Sequence, residues 1–404
     1  MYKKGTKCQV CIGCGRCFDS KEDGLKGISF IMQNPSNISN SHYKCAYSGN
    51  SRLVTVDIGT TTIAMQLHGK AGEVEDYYAQ VNPQIKYGAD VLSRIEAAQS
   101  PGVAMELQKL VLDVLAHGFE QFKERLTEGE KLLAVIAANT TMTYLLMGYD
   151  TKELGQAPFE AKHLDYIHTE VCGEECLICP GISAFVGGDI AAGILSCDMW
   201  TKDDITLLID LGTNGEMVLG NNERMIACAT AAGPAFEGGV NRGVWGADMI
   251  RLLATLLDQR IMDETGLLAD PYFETGVRIA DVHVTQESIR TIQLAKGAIR
   301  AGIEILVREY GITYAEVDRV VLAGGFGYYL DPKAAARIGL FPIELEDKTL
   351  AGGNTALAGA QKLGDMFLRE GKTCLAHMDM GKVQVLNLAQ MPEFEELYMG
   401  ALEF

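Results

Sequence analysis

Apolar and polar positions along this chain fall into blocks that predict strands and helices in alternation. Leu53-Val54-Thr55-Val56 is an apolar, β-branched run, and Ile63-Ala64-Met65-Gln66-Leu67 resumes after a short polar break, as the returning strand of a hairpin does. Leu207-Leu208-Ile209 and Met217-Val218-Leu219 repeat that plan in the second half. Val103–Arg125 carries the longest helical period. Leu132 to Tyr149 is uncharged and has the nominal length of a membrane span, yet Asn139, Thr140, Thr141 and Thr143 divide it. It reads instead as a buried strand, Leu132–Ala138, leading into a helix capped near Asn139. A later strand, Val320-Val321-Leu322-Ala323, runs straight into Gly324-Gly325-Phe326-Gly327, with Tyr328, Tyr329 and Leu330 opening a helix whose N-terminus faces a ligand. Strands interleaved with helices predict an α/β fold.

The two hairpins share one tip, Asp57-Ile58-Gly59-Thr60 and Asp210-Leu211-Gly212-Thr213. Glycine lets backbone amides approach an anion closely, hydroxyls donate to it, and a carboxylate holds a hydrated divalent cation beside it. Asp57 and Asp210 are therefore the candidate metal-nucleotide residues, in preference to carboxylates that merely bond their own turns. Thr60, Thr61, Thr62, Thr213 and Asn214 are the candidate phosphate donors. Two such tips predict two lobes closing on a nucleotide polyphosphate, with Gly324, Gly325, Phe326 and Gly327 offering bare backbone to a flat ligand. Asp189 and Glu237, in glycine-rich settings, are candidates to orient an attacking water, the alternative being plain loop carboxylates. Lys296 reads as a solvated helix residue.

A chain of 404 residues has room for two or three domains, and 48% hydrophobic with 22% charged residues is ordinary for a globular protein. A net charge of −18 argues against nucleic acid as the main partner. Residues 1–50 nevertheless carry +4, seven Lys/Arg against three Asp/Glu, which leaves −22 on the rest. Asn34 to Asn50 is a Ser/Asn-rich linker, so the divisions fall at residues 1–50, 51–198 and 199–404. No secretory signal is visible, and the expected compartment is cytoplasmic, where thiols stay reduced unless they bind metal.

Metal binding is what the basic head offers. Cys8, Cys11, Cys14 and Cys17 lie at three successive two-residue spacings, with Gly13 and Gly15 between them. This resembles the ferredoxin run that holds a [4Fe–4S] cluster, whereas structural zinc favours two Cys pairs across a longer loop. Either Cys17, which lacks the following Pro of ferredoxins, or Cys45 completes the ligand set. Cys172, Cys176 and Cys179 form a looser group that reads as buried thiols at a strand edge, the alternative being a second metal site, and Cys197, Cys228 and Cys374 read as packing residues.

The order hairpin, hairpin, Gly-Gly turn resembles the actin, sugar-kinase and heat-shock-chaperone ATPase superfamily over residues 52 to about 365. Further phrases resemble one branch, the ATP-dependent reductive activators of corrinoid proteins. They are Asn82-Pro83-Gln84 through Tyr87-Gly88-Ala89-Asp90-Val91, Asn139-Thr140-Thr141-Met142-Thr143, and Phe185-Val186-Gly187-Gly188-Asp189. Ala232 through Gly238, Gly353 through Ala360, and the tail Leu388-Ala389 with Pro392-Glu393-Phe394 extend the match. The resemblance implies a two-lobed, dimeric ATPase binding ATP and Mg2+. It would pass an electron from an iron–sulfur cluster to the Co(II) cofactor of a corrinoid protein and restore Co(I), with a low-potential donor upstream. The chain departs from well-known members in carrying a short cysteine head where they carry a plant-type ferredoxin domain or C-terminal clusters. The alternatives are a small-molecule kinase of the same fold, a zinc-headed assembly or chaperone module, and an activator of 2-hydroxyacyl-CoA dehydratases.

Overall fold

A computed structural model describes residues 49–212, 214–231, 246–279, 282–324 and 330–404. Cys8, Cys11, Cys14, Cys17, Cys45, Thr213, Glu237, Gly325, Phe326, Gly327, Tyr328 and Tyr329 lie outside the described residues.

The chain builds the same sheet twice. In the first, β1 (Ser51–Ile58), β2 (Thr62–His68) and β3 (Val74–Val81) form an antiparallel meander, and β4 (Lys131–Ala138) and β6 (Glu174–Ile178) extend it in parallel. With β5 (Ile167–Val171) at the edge, the order is β3-β2-β1-β4-β6-β5. In the second, β7 (Thr206–Leu211), β8 (Gly215–Gly220) and β9 (Met225–Thr230) make the meander. β12 (Arg319–Ala323) and β13 (Thr349–Gly353) add in parallel to β7, and β14 (Val383–Leu386) closes the other edge beside β9. The short ribbon β10 (Val277–Ile279) with β11 (Val282–Val284) stands apart from both sheets.

Helices cover the outer faces as the apolar pattern requires. α1 (Val91–Ala97) follows the first meander, and α2 (Pro101–Lys123) and α3 (Thr140–Met147) turn their apolar sides onto the first sheet. Lys131 to Met147 is thus the expected strand-turn-helix, with Asn139 accepting the Met142 amide as N-cap. α5 (Gly246–Asp258), α6 (Gln286–Tyr310) and α7 (Pro332–Arg337) pack on the outer face of the second sheet. α6 opens with a reciprocal capping box at Thr285 and Ser288 and stops at the left-handed Gly311, φ +84°. α9 (Phe394–Gly400) lies against α6.

Between the sheets run α4 (Gly188–Ser196) and α8 (Thr355–Glu370), side by side. Their core draws Leu53, Val135 and Leu177 from the first sheet and Leu208, Val218 and Val321 from the second. α8 is supplied by the second half of the chain, yet it packs on β1 and β4. Gly359 and Gly364 make that approach possible, the first against the Ala192 backbone of α4 and the second against Leu53 of β1. No helix among the described residues is long and apolar enough to cross a membrane.

The structure corrects two residue readings. Lys296 is not solvated: it is fully buried in α6, donates to the Ala401 carbonyl at 2.7 Å and to that of Glu403, and lies over the Phe404 ring. Burial, reinforced by the Arg300 charge, pulls its ammonium down to about 7. Cys172 is exposed in the β5–β6 turn rather than buried, while Cys176 and Cys179 are buried and held as thiols, both pushed up to about 12. No metal-ligating cluster occurs among the described residues. Cys197, Cys228 and Cys374 are buried packing residues as expected.

Candidate functional site

Parallel registers bring the two hairpin tips to equivalent places. Asp57 lies opposite Ala137 of β4, and Asp210 opposite Ala323 of β12, each one residue before the end of its strand. The tips differ in length. The first closes with the Gly59 amide on the Thr62 carbonyl, the second with the Gly212 amide on Asn214, one residue shorter. Across its hairpin Asp57 faces Ala64, but Asp210 faces Glu216.

Asp57, Asp189, Asp210 and Glu216 form one electrostatically connected group. Burial raises the Asp57 carboxyl to about 7, opposed by hydrogen bonding from Asn354 and reinforced by the Asp189 charge. Asp189, in the first turn of α4, is raised to about 6 by burial, against the pull of its own and the Ile190 amide. Glu216 is raised well above the ordinary carboxylate range by burial and by Asp189 and Asp210, with Asn214 bonding to it in partial compensation. Several carboxylates gathered in dense surroundings are short of positive charge, although among the described residues no three of them stand together as a metal-binding cluster. Gly324 adopts φ +82° against this group, and a side chain there would meet the Leu211 carbonyl at 2.7 Å and Asp210 Oδ1 at 2.8 Å. The turn after β12 therefore lies directly on the second tip, a contact only glycine accommodates.

The first tip rests on a buried polar scaffold. Arg94 of α1 is fully buried, donating to the carbonyls of Thr60 at 2.6 Å and Gly88 at 3.0 Å and to Gln84 Oε1 at 3.2 Å. Asn82 donates to the Gly59 carbonyl at 2.9 Å, and Gln84 reaches the Leu107 carbonyl at 2.9 Å. The stretch from Asn82 to Val91 is thus the underside of the first loop. Thr60 is itself buried, its hydroxyl accepting from Asn139 Nδ2 at 3.2 Å and keeping its own proton to donate. Thr61 and Thr62 are part exposed at the same tip. Gly187, cap of α4, presses on the Asn139–Thr140 backbone, and Gly188 on Cys179, which fixes where α4 begins and hence where Asp189 sits.

The described candidates Asp57, Gly59, Thr60, Asp189, Asp210, Gly212, Asn214 and Gly324 thus belong to one polar framework. Sequence reasoning missed Glu216, Arg94 and the role of Asn354. Glu216 had a signal in retrospect: it is the one acidic residue in the returning strand of either hairpin, where alternation places it beside Asp210. Arg94 had none, since an Arg inside a helix is usually solvated.

A duplicated meander with parallel extensions, two glycine-bearing hairpin tips and helices crossing between the sheets define the fold of the actin, sugar-kinase and heat-shock-chaperone ATPases. The sequence description of the RACo middle region matches residues 53–202, and that of the C-terminal domain of RACo, the ASKHA domain, matches 204–242 and 239–404. The chain belongs to the RACo family. It is 28% identical to the corrinoid activation enzyme RamQ of Eubacterium limosum, over 86% of this chain and 69% of that protein. Identity to the [Co(II) methylated amine-specific corrinoid protein] reductase of Methanosarcina barkeri is 24%, over 68% of this chain and 63% of that one. A solved structure titled reductive activator for corrinoid, iron–sulfur protein superposes with a TM-score of 0.76 at 30% identity, covering 88% of this chain and 67% of that one.

Proposed function

We infer that this protein is an ATP-dependent reductive activator of a corrinoid protein, delivering one electron to Co(II) and restoring Co(I). The observation that carries the reading is the pairing of family membership with the carboxylate group at the two hairpin tips, which fits a metal–nucleotide complex. Asp57 and Asp210, with Glu216 behind, would hold the hydrated Mg2+, and the Gly59–Thr62 and Gly212–Asn214 tips would face the phosphates. Gly324 through Gly327 would receive the adenosine. Asp189, raised to about 6, sits at the start of α4 where it can accept a proton from a water aimed at the γ-phosphate. Glu237 is a second candidate for that role.

Residues that bind nucleotide lie on both sheets, so binding biases how the lobes are arranged only through contacts that differ between arrangements. A coupling of about 1–3 kcal/mol is worth roughly 40–130 mV for one electron. Cys8, Cys11 and Cys14, with Cys17 or Cys45, would hold a [4Fe–4S] cluster that supplies one low-potential electron when bound. An upstream low-potential donor would recharge it, and the protein would act as a cytoplasmic homodimer. Family membership removes the motive for the kinase and chaperone alternatives.

Anaerobic purification with iron and sulfide analysis and electron paramagnetic resonance tests the head, and separate Cys17→Ser and Cys45→Ser variants identify the fourth ligand. MgATP should then accelerate loss of the Co(II) signal of a corrinoid protein. Removing residues 1–50 should abolish that reduction while hydrolysis persists. Stoichiometric zinc in place of iron, or full ATP-dependent reduction by the headless protein, refutes this assignment.

A further inference from the structure

Asn354 stands between β13 and α8, and it serves two parts of the molecule at once. Its Oδ1 accepts the Leu357 amide at 2.8 Å, which caps α8. A backbone N–H can only donate, so this bond fixes the orientation of the side-chain amide and turns Nδ2 the other way. Nδ2 donates to Asp57 Oδ2 at 2.7 Å, across 297 residues of sequence. Among the described residues, Asp57 Oδ1 carries no hydrogen bond, so one oxygen is tethered and the other left for a ligand. α8 in turn is fixed on both sides, by Gly359 against α4 and by Gln361 Nε2 on the Gly72 carbonyl of the first lobe at 2.6 Å.

We propose that Asn354 is a positioning residue for the metal–nucleotide site, a two-ended bracket that sets the Asp57 carboxylate by reference to the start of α8. This rests on the reading of the site as one for Mg2+ and nucleotide. A carboxylate that takes up a partly hydrated cation must present one oxygen in a set direction, because Mg2+ tolerates little departure from octahedral geometry. Asp57 sits one residue before the end of its strand, and the amide of Asn354 holds one of its two oxygens in place. The neighbouring groups, Asp189 on α4 and beyond it Asp210 and Glu216, are acidic and add like charge, whereas the Asn354 amide is a donor at any pH.

Serine separates the two ends of the bracket. Asn354→Ser keeps an oxygen that caps α8 about as well as asparagine, but its hydroxyl is too short to hold Asp57 while capping. Asn354→Ala loses both functions. The probes are ATP with magnesium titrated in, ATP with magnesium chelated, and thermal melting of the full-length protein without ligand. Asn354→Ser should melt as the parent does, bind metal-free ATP equally well, and need roughly tenfold more Mg2+ for half-maximal tightening of ATP binding, the loss expected when a hydrogen bond to a charged group is removed. Asn354→Ala should show the same magnesium shift together with a lower melting temperature. An unmoved magnesium midpoint in Asn354→Ser, or an equal loss of metal-free and magnesium-dependent affinity, would leave Asn354 as a helix cap only. If the parent protein bound ATP with no response to Mg2+, the reading of the site itself would fall, and this proposal with it.

Discussion

Gly359→Ala isolates the contact on which the lobe arrangement depends. A Cβ at this position would lie 1.8 Å from the Ala192 carbonyl oxygen and 2.3 Å from its carbonyl carbon. Ordinary carbon–oxygen contact begins at about 3.3 Å, so α8 must withdraw from α4 by about 1.5 Å. Both partners are backbone, and no rotamer change relieves them. The cost lies at or above the upper end of ordinary overpacking, about 3 kcal/mol. Replacing a helical glycine by alanine returns up to about 1 kcal/mol, which leaves a net loss of about 2 kcal/mol or more. Gly364→Ala is the matched control on the same helix, because its new methyl group meets the movable ends of Leu53 at 2.4 and 3.0 Å. Urea denaturation should rank the Gly359 variant clearly below the Gly364 one. Since α4 carries Asp189 and α8 begins at the residue that holds Asp57, ATP hydrolysis should fall by roughly a hundredfold in the Gly359 variant, as a displacement of about 1 Å permits. Equal denaturation midpoints for the two variants would refute the argument that backbone contact sets the helix spacing.

Two other outcomes test the site and the fold separately. Asp210→Ala should abolish hydrolysis with an unchanged circular dichroism spectrum, and normal turnover would remove Asp210 from the metal site. His68, buried on β2 beside the Thr55 hydroxyl at 2.9 Å, is held down to about 4 by burial. Below the ordinary range near 6.5 only the unfolded chain takes up that proton, so this contribution is complete above about pH 6.5 and is lost as the pH falls toward 4. It amounts to about 3 kcal/mol at most, and His68→Gln should flatten the acid limb of a stability–pH curve.

Local chemistry was legible in the sequence. The two hairpins, the Asn139 cap and the division of Leu132 to Tyr149 depend on neighbours within a few positions, and they stand where the pattern puts them. Contacts decided by distant partners were not legible. Lys296 looks like any helical lysine until the Ala401 and Glu403 carbonyls, 105 and 107 residues on, close over it. Asn354 is recognisable as a cap, but its bond to Asp57 requires the β13–α8 junction to reach the first sheet. Glu216 becomes a site residue only once the register sets it across from Asp210.

α8 gives this architecture an order of assembly. During synthesis the first sheet emerges with the face that includes Leu53 and Val135 uncovered, because the helix that seals it is encoded at residues 355–370. At about 5–20 residues per second, roughly 10–30 s separate the end of α4 from the arrival of α8 at the ribosomal exit. Through that interval the nascent half must be shielded by a chaperone or by its own collapse. A chain terminated before residue 355 would leave an adhesive fragment in place of a working lobe. Unlike beads on a string, the halves of this protein cannot be shuffled as separate modules, and a gene fusion that cuts between them would separate a lid from the vessel it was made to close.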